Sequence, residues 1–405
     1  MSSQTNIIIV GGGMVGATSA LALAKENFSV SLIENAELEI NNFKNDFDHR
    51  VSAINRISQN IFLNLNVWPE MESVRITPYQ NMRVWDKKGF GEILFDAAEI
   101  GEPNLGHILE NRVVLSALWK KIIKHQNIEV LNKKEILNIE THSDKKVIYF
   151  SDSSQLDGDL IIAADGANSK IRELSNFEMR VKDYRQEGLV ATIKTEKGNQ
   201  ATAWQRFMAN GPLALLPIDE DMVSMVWSTS PRQAIKLEGM ENDEFEKELT
   251  LASQNCCGSL KNVSLIQKFK LKSQQVKSYV CPGVALIGDA AHVIHPLAGQ
   301  GVNLGLLDVG VLVETLVTAR NEGRDLGSLN ILRRYDRIRK SHNAAVNLAM
   351  DFFYNTFSND KKSYFFIRNS GLKITNRVKP MKNLFMKIAL GSISDSPGLG
   401  RYSSY

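Results

Sequence analysis

Cysteine is scarce in this chain: three among 405 residues, Cys256, Cys257 and Cys281. An odd count without spaced pairs gives neither a disulfide framework nor the ligand spacing of a zinc site, and the adjacent Cys256 and Cys257 read as incidental. Charge of one sign is lacking too. Lys and Arg number 48 against 45 Asp and Glu, a formal net charge of +3, too little to imply a nucleic-acid partner. One long uncharged run, Ile7–Ala24, has no Lys or Arg before it and is interrupted by four glycines. It is therefore read as neither signal peptide nor membrane span, and the expected compartment is cytoplasmic. Internal repeats and low-complexity linkers are absent as well. What remains, 43% hydrophobic and 23% charged, is a soluble globular composition with room for roughly two to three domains.

Asn6–Val10 is a continuous β-branched run, as a buried parallel strand should be. A glycine-rich turn, an Ala/Leu-rich helix over 14–26 and a second apolar run at Ser29–Ile33 complete a βαβ unit. Ile54, Ile57, Ile61 and Leu65 stand at helical spacing and predict a helix over 52–65. Strands are then expected at 81–86, 93–95, 202–208 and 213–218, with Asn210-Gly211 as a hairpin signal. Val223, Met225 and Trp227 alternate with Ser224, Val226 and Ser228. A buried-strand pattern returns at Val284–Ile287, and helices dominate from Gly301 onward. The expected fold class is α/β: a Rossmann-like dinucleotide-binding domain (1–74, 108–178 and 282–340), interrupted by a mostly antiparallel β-sheet substrate domain (75–107 and 179–281), with a helical C-terminal region (341–405).

Three constellations carry chemistry. In Gly11-Gly12-Gly13-Met14-Val15-Gly16, Gly11 permits the turn, Gly13 admits a pyrophosphate, and Gly16 lets the helix pack on the sheet. Met14 and Val15 open that helix, whose free N–H groups favour phosphate. Glu34 follows 23 residues after Gly11, where an acid binds a ribose hydroxyl pair and repels a 2′-phosphate. The bland alternative is a surface glutamate. The second constellation is Asp165-Gly166-Ala167-Asn168-Ser169. The third is Gly288-Asp289-Ala290-Ala291-His292, followed by Pro296 and Gly299-Gln300-Gly301-Val302-Asn303. Asp289, at the end of a buried strand, needs a partner such as a ribityl hydroxyl. A helix beginning near Gly301 would aim its N-terminal dipole at a flavin ring, worth about 1–2 kcal/mol if buried.

These motifs, in this order, resemble the class A flavoprotein monooxygenases of the para-hydroxybenzoate hydroxylase fold, and most closely the ubiquinone-biosynthesis hydroxylases (the UbiH, UbiF, VisC and COQ6 types). The resemblance runs from about residue 6 to 391. It rests also on Asp48-His49-Arg50-Val51-Ser52-Ala53-Ile54, Trp204-Gln205-Arg206-Phe207, Gly211-Pro212-Leu213-Ala214-Leu215-Leu216-Pro217 and His295-Pro296-Leu297-Ala298-Gly299-Gln300-Gly301-Val302-Asn303-Leu304-Gly305. Val84-Trp85-Asp86-Lys87 and Leu105–Asn111 look most like the VisC-type 2-octaprenylphenol hydroxylases, which act at C5 of the ring. The resemblance implies FAD, with Arg50 and Arg112 as further contacts, unless they are salt-bridge partners. It also implies NAD(P)H or another electron donor as transient reductant and O2 as co-substrate. A flavin C4a-hydroperoxide would hydroxylate a polyprenylated phenol.

His295 is the candidate catalytic base, with His292 as an alternative; both also read as structural loop histidines. Trp204, Arg206, Phe207, Leu215, Pro217 and Trp227 are expected to line an apolar substrate pocket, and as readily form a domain core. The tail carries eight Lys/Arg and no Asp or Glu between 361 and 387. It suits peripheral contact with the inner membrane face, a ubiquinone-biosynthesis protein partner, or cover for the flavin domain. Two other functions stay open: a flavin-dependent reductase or dehydrogenase of a prenyl lipid, and a non-catalytic GDI-like prenyl-binding escort. The intact Glu34, Asp165 and Asp289 speak against the escort.

Overall fold

Ile7, Ile8 and Ile9 have no exposed surface, because both faces of their strand are covered, as an unbroken apolar run requires. The computed structural model describes residues 6–36, 47–86, 91–142, 145–208, 210–294, 301–357, 382 and 397–401. The chain begins with β1 (Asn6–Val10), α1 (Met14–Lys25), β2 (Ser29–Glu34), β3 (Val51–Ile54), α2 (Arg56–Asn64) and α3 (Trp68–Glu72). It continues through β4 (Thr77–Tyr79), β5 (Asn81–Asp86), β6 (Glu92–Asp96), β7 (Gly106–Glu110), α4 (Asn111–Ile122) and β8 (Ile128–Asn132). Next come β9 (Ile136–His142), β10 (Lys145–Phe150), β11 (Gln155–Gly158), β12 (Leu160–Ala163) and α5 (Lys170–Leu174). The long β13 (Met179–Thr195) leads into β14 (Thr202–Phe207), β15 (Leu213–Pro217), β16 (Met222–Thr229), α6 (Pro231–Glu238) and α7 (Asn242–Ala252). The last part holds β17 (Leu260–Asn262), β18 (Gln267–Val276), β19 (Val280–Cys281), β20 (Val284–Leu286), β21 (His292–Val293), α8 (Gly301–Asn321) and α9 (Leu329–Phe357).

Six strands make one sheet in the order β19-β20-β12-β1-β2-β8, parallel except for the β19–β20 pair. α1 lies between α4 and the sheet-covering α8. A second sheet runs β21-β18-β13-β16-β15-β14-β5-β6, with β17 beside β13; of its pairs, β14–β5 is parallel. The small sheet β3-β7-β4 lies between the two: its Ala53 and Ile108 pack with Ala203, Leu216 and Met222 of the large sheet. The other face of the large sheet packs on Ala234 and Leu237 of α6 and Phe245 and Leu249 of α7. The architecture is the expected α/β one.

Details differ from the sequence pattern. Residues 52–65 are not one helix. Ile54 ends β3, paired with β7, and Asn55 then caps α2 by accepting the Ser58 N–H at 3.0 Å, the stop-and-start a capping side chain imposes. The Asn210-Gly211 connection exceeds a two-residue turn, since the last paired residues are Arg206 and Leu213. Val280–Cys281 belongs to the six-stranded sheet, because Pro282-Gly283 folds it back on β20. The 361–387 stretch lies outside the described residues except Lys382. That lysine is buried, its Nζ donating to the Leu94 carbonyl at 2.8 Å and pairing with Glu99 at 2.7 Å. Near the C-terminus, Gly400 and Leu399 carbonyls accept from Asn60 and Asn64 of α2 at 3.0 and 2.7 Å.

His107 on β7 is 8% exposed, edge-on to Trp68 at 5.1 Å. Burial first, and the Arg56 charge second, push its pKa down to about 4. Its folded pKa thus lies below its unfolded one, so acid protonates the unfolded chain first and stability falls as pH drops from about 6.5 towards 4. Wild type should lose about 2 kcal/mol more than His107→Gln between pH 7 and pH 5 in urea unfolding; parallel pH profiles would refute this.

Candidate active site

The first loop leaves β1 at Val10 and enters α1 at Met14. Gly11 has φ +99°, and a Cβ there would stand 2.5 Å from the Ala164 carbonyl oxygen. At Gly16 a Cβ would stand 1.9 Å from the Gly11 oxygen. Only glycine allows α1 to start this close to β1 and β12, with its free amides turned outward. Glu34, ending β2, accepts the N–H of Gly12 at 2.5 Å through Oε2 and that of Ala36 at 2.7 Å through Oε1. Trp119 of α4 donates Nε1–H to the Gly12 carbonyl at 2.9 Å and fills the space a Gly12 side chain would need. Gly12 lies within the glycine motif, but Trp119 does not stand out in the sequence, because nothing local marks a tryptophan 107 residues away as a buttress.

Asp165 follows β12. Its Oδ2 accepts the N–H groups of Lys170 and Ile171 at 2.8 and 3.2 Å, while Oδ1 is buried without a protein partner. Burial pushes this carboxyl above its usual range against those donors. The third loop turns at Gly288, φ +57°, where Val15 packs against both Gly288 and Gly305. Arg172 ties the second loop to the third, donating Nη1–H to the Ala290 carbonyl at 3.0 Å and Nη2–H to that of Ala167 at 2.7 Å. Asn303, in the first turn of α8, accepts the Asn55 N–H at 3.1 Å and donates to the Ala53 carbonyl at 2.7 Å. The three glycine/aspartate loops and the α8 N-terminus therefore meet at one edge of the six-stranded sheet.

Residues 4–348 match the family model described as FAD binding domain. The 3-demethoxyubiquinol 3-hydroxylase of Escherichia coli (strain K12) is 35% identical over 392 residues, covering 96% of this chain and 100% of that protein. The chain belongs to the FAD-dependent monooxygenase family. The mitochondrial ubiquinone biosynthesis monooxygenase COQ6 of Drosophila melanogaster is 34% identical, covering 95% of this chain and 90% of that protein. Among solved structures, p-nitrophenol 4-monooxygenase PnpA from Pseudomonas putida DLL-E4 superposes with a TM-score of 0.77 at 15% identity, over 96% of this chain and 99% of that one. P. aeruginosa PqsL in complex with 2-aminobenzoylacetate gives 0.77 at 19% identity, over 92% and 100%. At such identities the likeness is one of fold.

FAD fits the residues present. Asp165 Oδ1 is an unpaired buried acceptor, and a Cβ at Gly13, Gly166 or Gly301 would meet nothing within 4 Å, leaving room at all three loops. Val302 is half-buried behind Gly301. Asp289 departs from expectation. It stands exposed in the short turn Gly288–Ala290 rather than at the end of a buried strand, because the strand ends at Leu286. Its carboxyl is nonetheless raised, by desolvation first, with Asp308 adding and His292 opposing. Arg50 is exposed, its carbonyl accepting the Asn111 N–H at 2.9 Å. Arg112 pairs with the buried Glu110 at 2.8 Å, which also holds Arg75 at 2.6 Å; the salt-bridge alternative is the arrangement seen. His295, Pro296 and Gly299 lie outside the described residues. His292 is 2% exposed with Nε2 on Asp308 at 2.6 Å, a structural histidine and not a base for substrate.

The expected substrate pocket needs a larger correction. Trp204, Leu215 and Met225 share one cross-strand row, and Arg206, Leu213 and Trp227 the next. Both rows lie on the face covered by α6 and α7, and alternation puts Pro217 there too. Trp204 packs edge-on to Trp85 at 6.1 Å, and Arg206 donates to the Leu251 and Ala252 carbonyls ending α7, where a cation is favoured. Of the six residues expected to line the pocket, Trp204, Arg206, Leu215, Pro217 and Trp227 thus form an outer core. The face turned towards β3 carries Ala203, Gln205, Phe207, Leu216, Ser224 and Val226; of these, only Phe207 was expected. Ser224 Oγ–H donates to the His49 carbonyl at 3.3 Å, joining this face to the flavin layer.

Glu34→Arg removes the acceptor of the Gly12 and Ala36 amides and sets a cation beside the loop. Purified protein should retain about a tenth or less of the wild-type flavin absorbance; full flavin content would remove Glu34 from the site.

Proposed function

We propose that this chain hydroxylates the aromatic ring of a polyprenylated phenol in ubiquinone biosynthesis. The observation that carries the reading is the 35% identity, over nearly the whole of both chains, to 3-demethoxyubiquinol 3-hydroxylase of Escherichia coli. FAD, when bound and reduced by NAD(P)H or another donor, supplies the activation of O2. The chain supplies position and dryness. Glu34 and the α1 amides would hold the adenosine and pyrophosphate, Asp165 and Asp289 the sugar and ribityl hydroxyls. The N-terminal amides of α8 would favour negative charge on the ring. The β3-facing side of the large sheet would hold the phenol, its apolar Phe207, Leu216 and Val226 interrupted by the polar Gln205 and Ser224 to orient a ring. His295 is proposed as the group that takes up the phenolic proton.

For the ring position, Val84–Lys87 and Leu105–Asn111 favour C5 of a 2-octaprenylphenol. The name of the Escherichia coli relative favours a later step on a more substituted ring. Lipid analysis of cells lacking the protein separates the two, since the accumulated precursor names the step. Purified protein should consume O2 in proportion to hydroxylated product; NAD(P)H oxidation without product oxygen would favour a reductase. Val226→Trp, adding bulk on the β3-facing side, should lower kcat/KM about ten-fold or more with flavin content unchanged. An unaffected kcat/KM would place the phenol elsewhere.

One helix among the described residues, Gly301–Asn321, is long and apolar enough to cross a membrane, but most of it is buried within the protein. Peripheral attachment is therefore proposed through the basic 361–387 stretch, to the inner face of the membrane or to a ubiquinone-biosynthesis partner there. Replacing Lys361, Lys362, Arg368 and Lys373 with Glu should move protein from the membrane to the soluble fraction. Unchanged fractionation would leave the stretch a packing element.

A further inference from the structure

Asp308 is fully buried on α8, two turns beyond Gly301. Three donors converge on it: Oδ2 accepts the N–H of Gly288 at 2.9 Å and Nε2–H of His292 at 2.6 Å, and Oδ1 accepts Nε–H of Arg339 at 2.7 Å. Arg339, itself 2% exposed, also donates to the Leu304 carbonyl at 3.2 Å and to Asn343 Oδ1 at 2.9 Å. Asn343 in turn donates to Tyr279 Oη at 3.2 Å. Burial alone would raise the Asp308 carboxyl, but the charges and hydrogen bonds of His292 and Arg339 outweigh it and hold it below the usual range.

Burying an ion pair is an expensive way to gain stability, since apolar side chains of equal volume do as well or better. What such a cluster provides is a fixed arrangement. Asp308 joins four segments that no apolar contact would register so narrowly: the turn bearing Asp289, strand β21, helix α8 and helix α9. β21 is also the edge strand of the large sheet, His292 pairing with Gln275. One carboxylate thus sets where the Asp289 turn stands relative to the α8 N-terminus, and where both stand relative to the sheet.

We propose that Asp308 is a positioning residue for FAD, acting through Gly288 to hold the Asp289 turn against α8. The proposal rests on the family's use of FAD, not on the substrate. Asp308→Asn keeps the shape but turns an NH2 group towards either Arg339 or the Gly288 and His292 donors, so one contact must break. In titrations of apoprotein with FAD, the Kd of the variant should rise about ten-fold or more, and the absorbance spectrum of its bound flavin should shift. Leu249→Ala, in the outer core far from the flavin layer, serves as a control: it should lower Tm with Kd and spectrum unchanged. His292→Gln, which retains a donor and leaves the Gly288 and Arg339 bonds, should give a smaller rise in Kd and keeps the test open if Asp308→Asn does not fold. Wild-type Kd and spectrum in Asp308→Asn, or in a folded His292→Gln should the former not fold, would overturn the proposal. So would a Kd that rises in Leu249→Ala in proportion to its loss of Tm. Failure of the wild-type apoprotein to bind FAD would instead remove the cofactor assignment itself.

Discussion

The approach of α1 to the carbonyl of Gly11 is the constraint on which the rest of the molecule depends. A Cβ at position 16 would stand 1.9 Å from that oxygen, inside any tolerable contact. A helix displaced even slightly to make room would carry its N-terminal amides away from the loop after β12 and lose the packing of Val15 on Gly288 and Gly305. The other two loops are registered on the first: Asp165 by the strand beside Gly11, the third turn by Val15 and by Arg172. The site is therefore first an outcome of backbone proximity, which side chains then fix and furnish with acceptors.

Polar atoms do that fixing in small, closed sets. Gly12 is gripped on both sides, its N–H by Glu34 and its carbonyl by Trp119. Asn303 spends both ends of its amide on the Ala53–Asn55 segment. Glu110 holds Arg75 and Arg112 together. Each set is buried or nearly so, and satisfied groups of this kind confer a single geometry more than they add stability.

Much of this was legible in the sequence, and the boundary of legibility is physical. The glycine loops could be read because their chemistry is local: turn, helix start and acid lie within about thirty residues in a fixed order. The α8 start could be read from Gly301 for the same reason. Which face of the large sheet meets the flavin layer could not. Trp204, Arg206 and Trp227 alternate with Gln205, Phe207 and Ser228, and all six are buried, so a period of two distinguishes the faces without naming them. The Asp308 cluster had one visible sign, a carboxylate flanked on both sides by apolar residues (Leu306, Leu307, Val309), but its partners Gly288 and Arg339 are separated in the chain. The strand at Ile54 was hidden because an isoleucine ending β3 happens to fall in phase with those of α2.

The order of the strands in the six-stranded sheet also has a consequence for synthesis. β1 is made first, yet its neighbour's neighbour β20, the Asp289 turn and α8 emerge more than 270 residues later. At about 5–20 residues per second, the ribosome leaves the amino-terminal half of the nucleotide fold waiting for roughly a quarter of a minute to a minute. The large sheet is almost completely synthesised during that wait. A growing chain can therefore assemble all three flavin loops only after α8 has emerged, and the nucleotide fold closes around a sheet that has had the opportunity to fold before it.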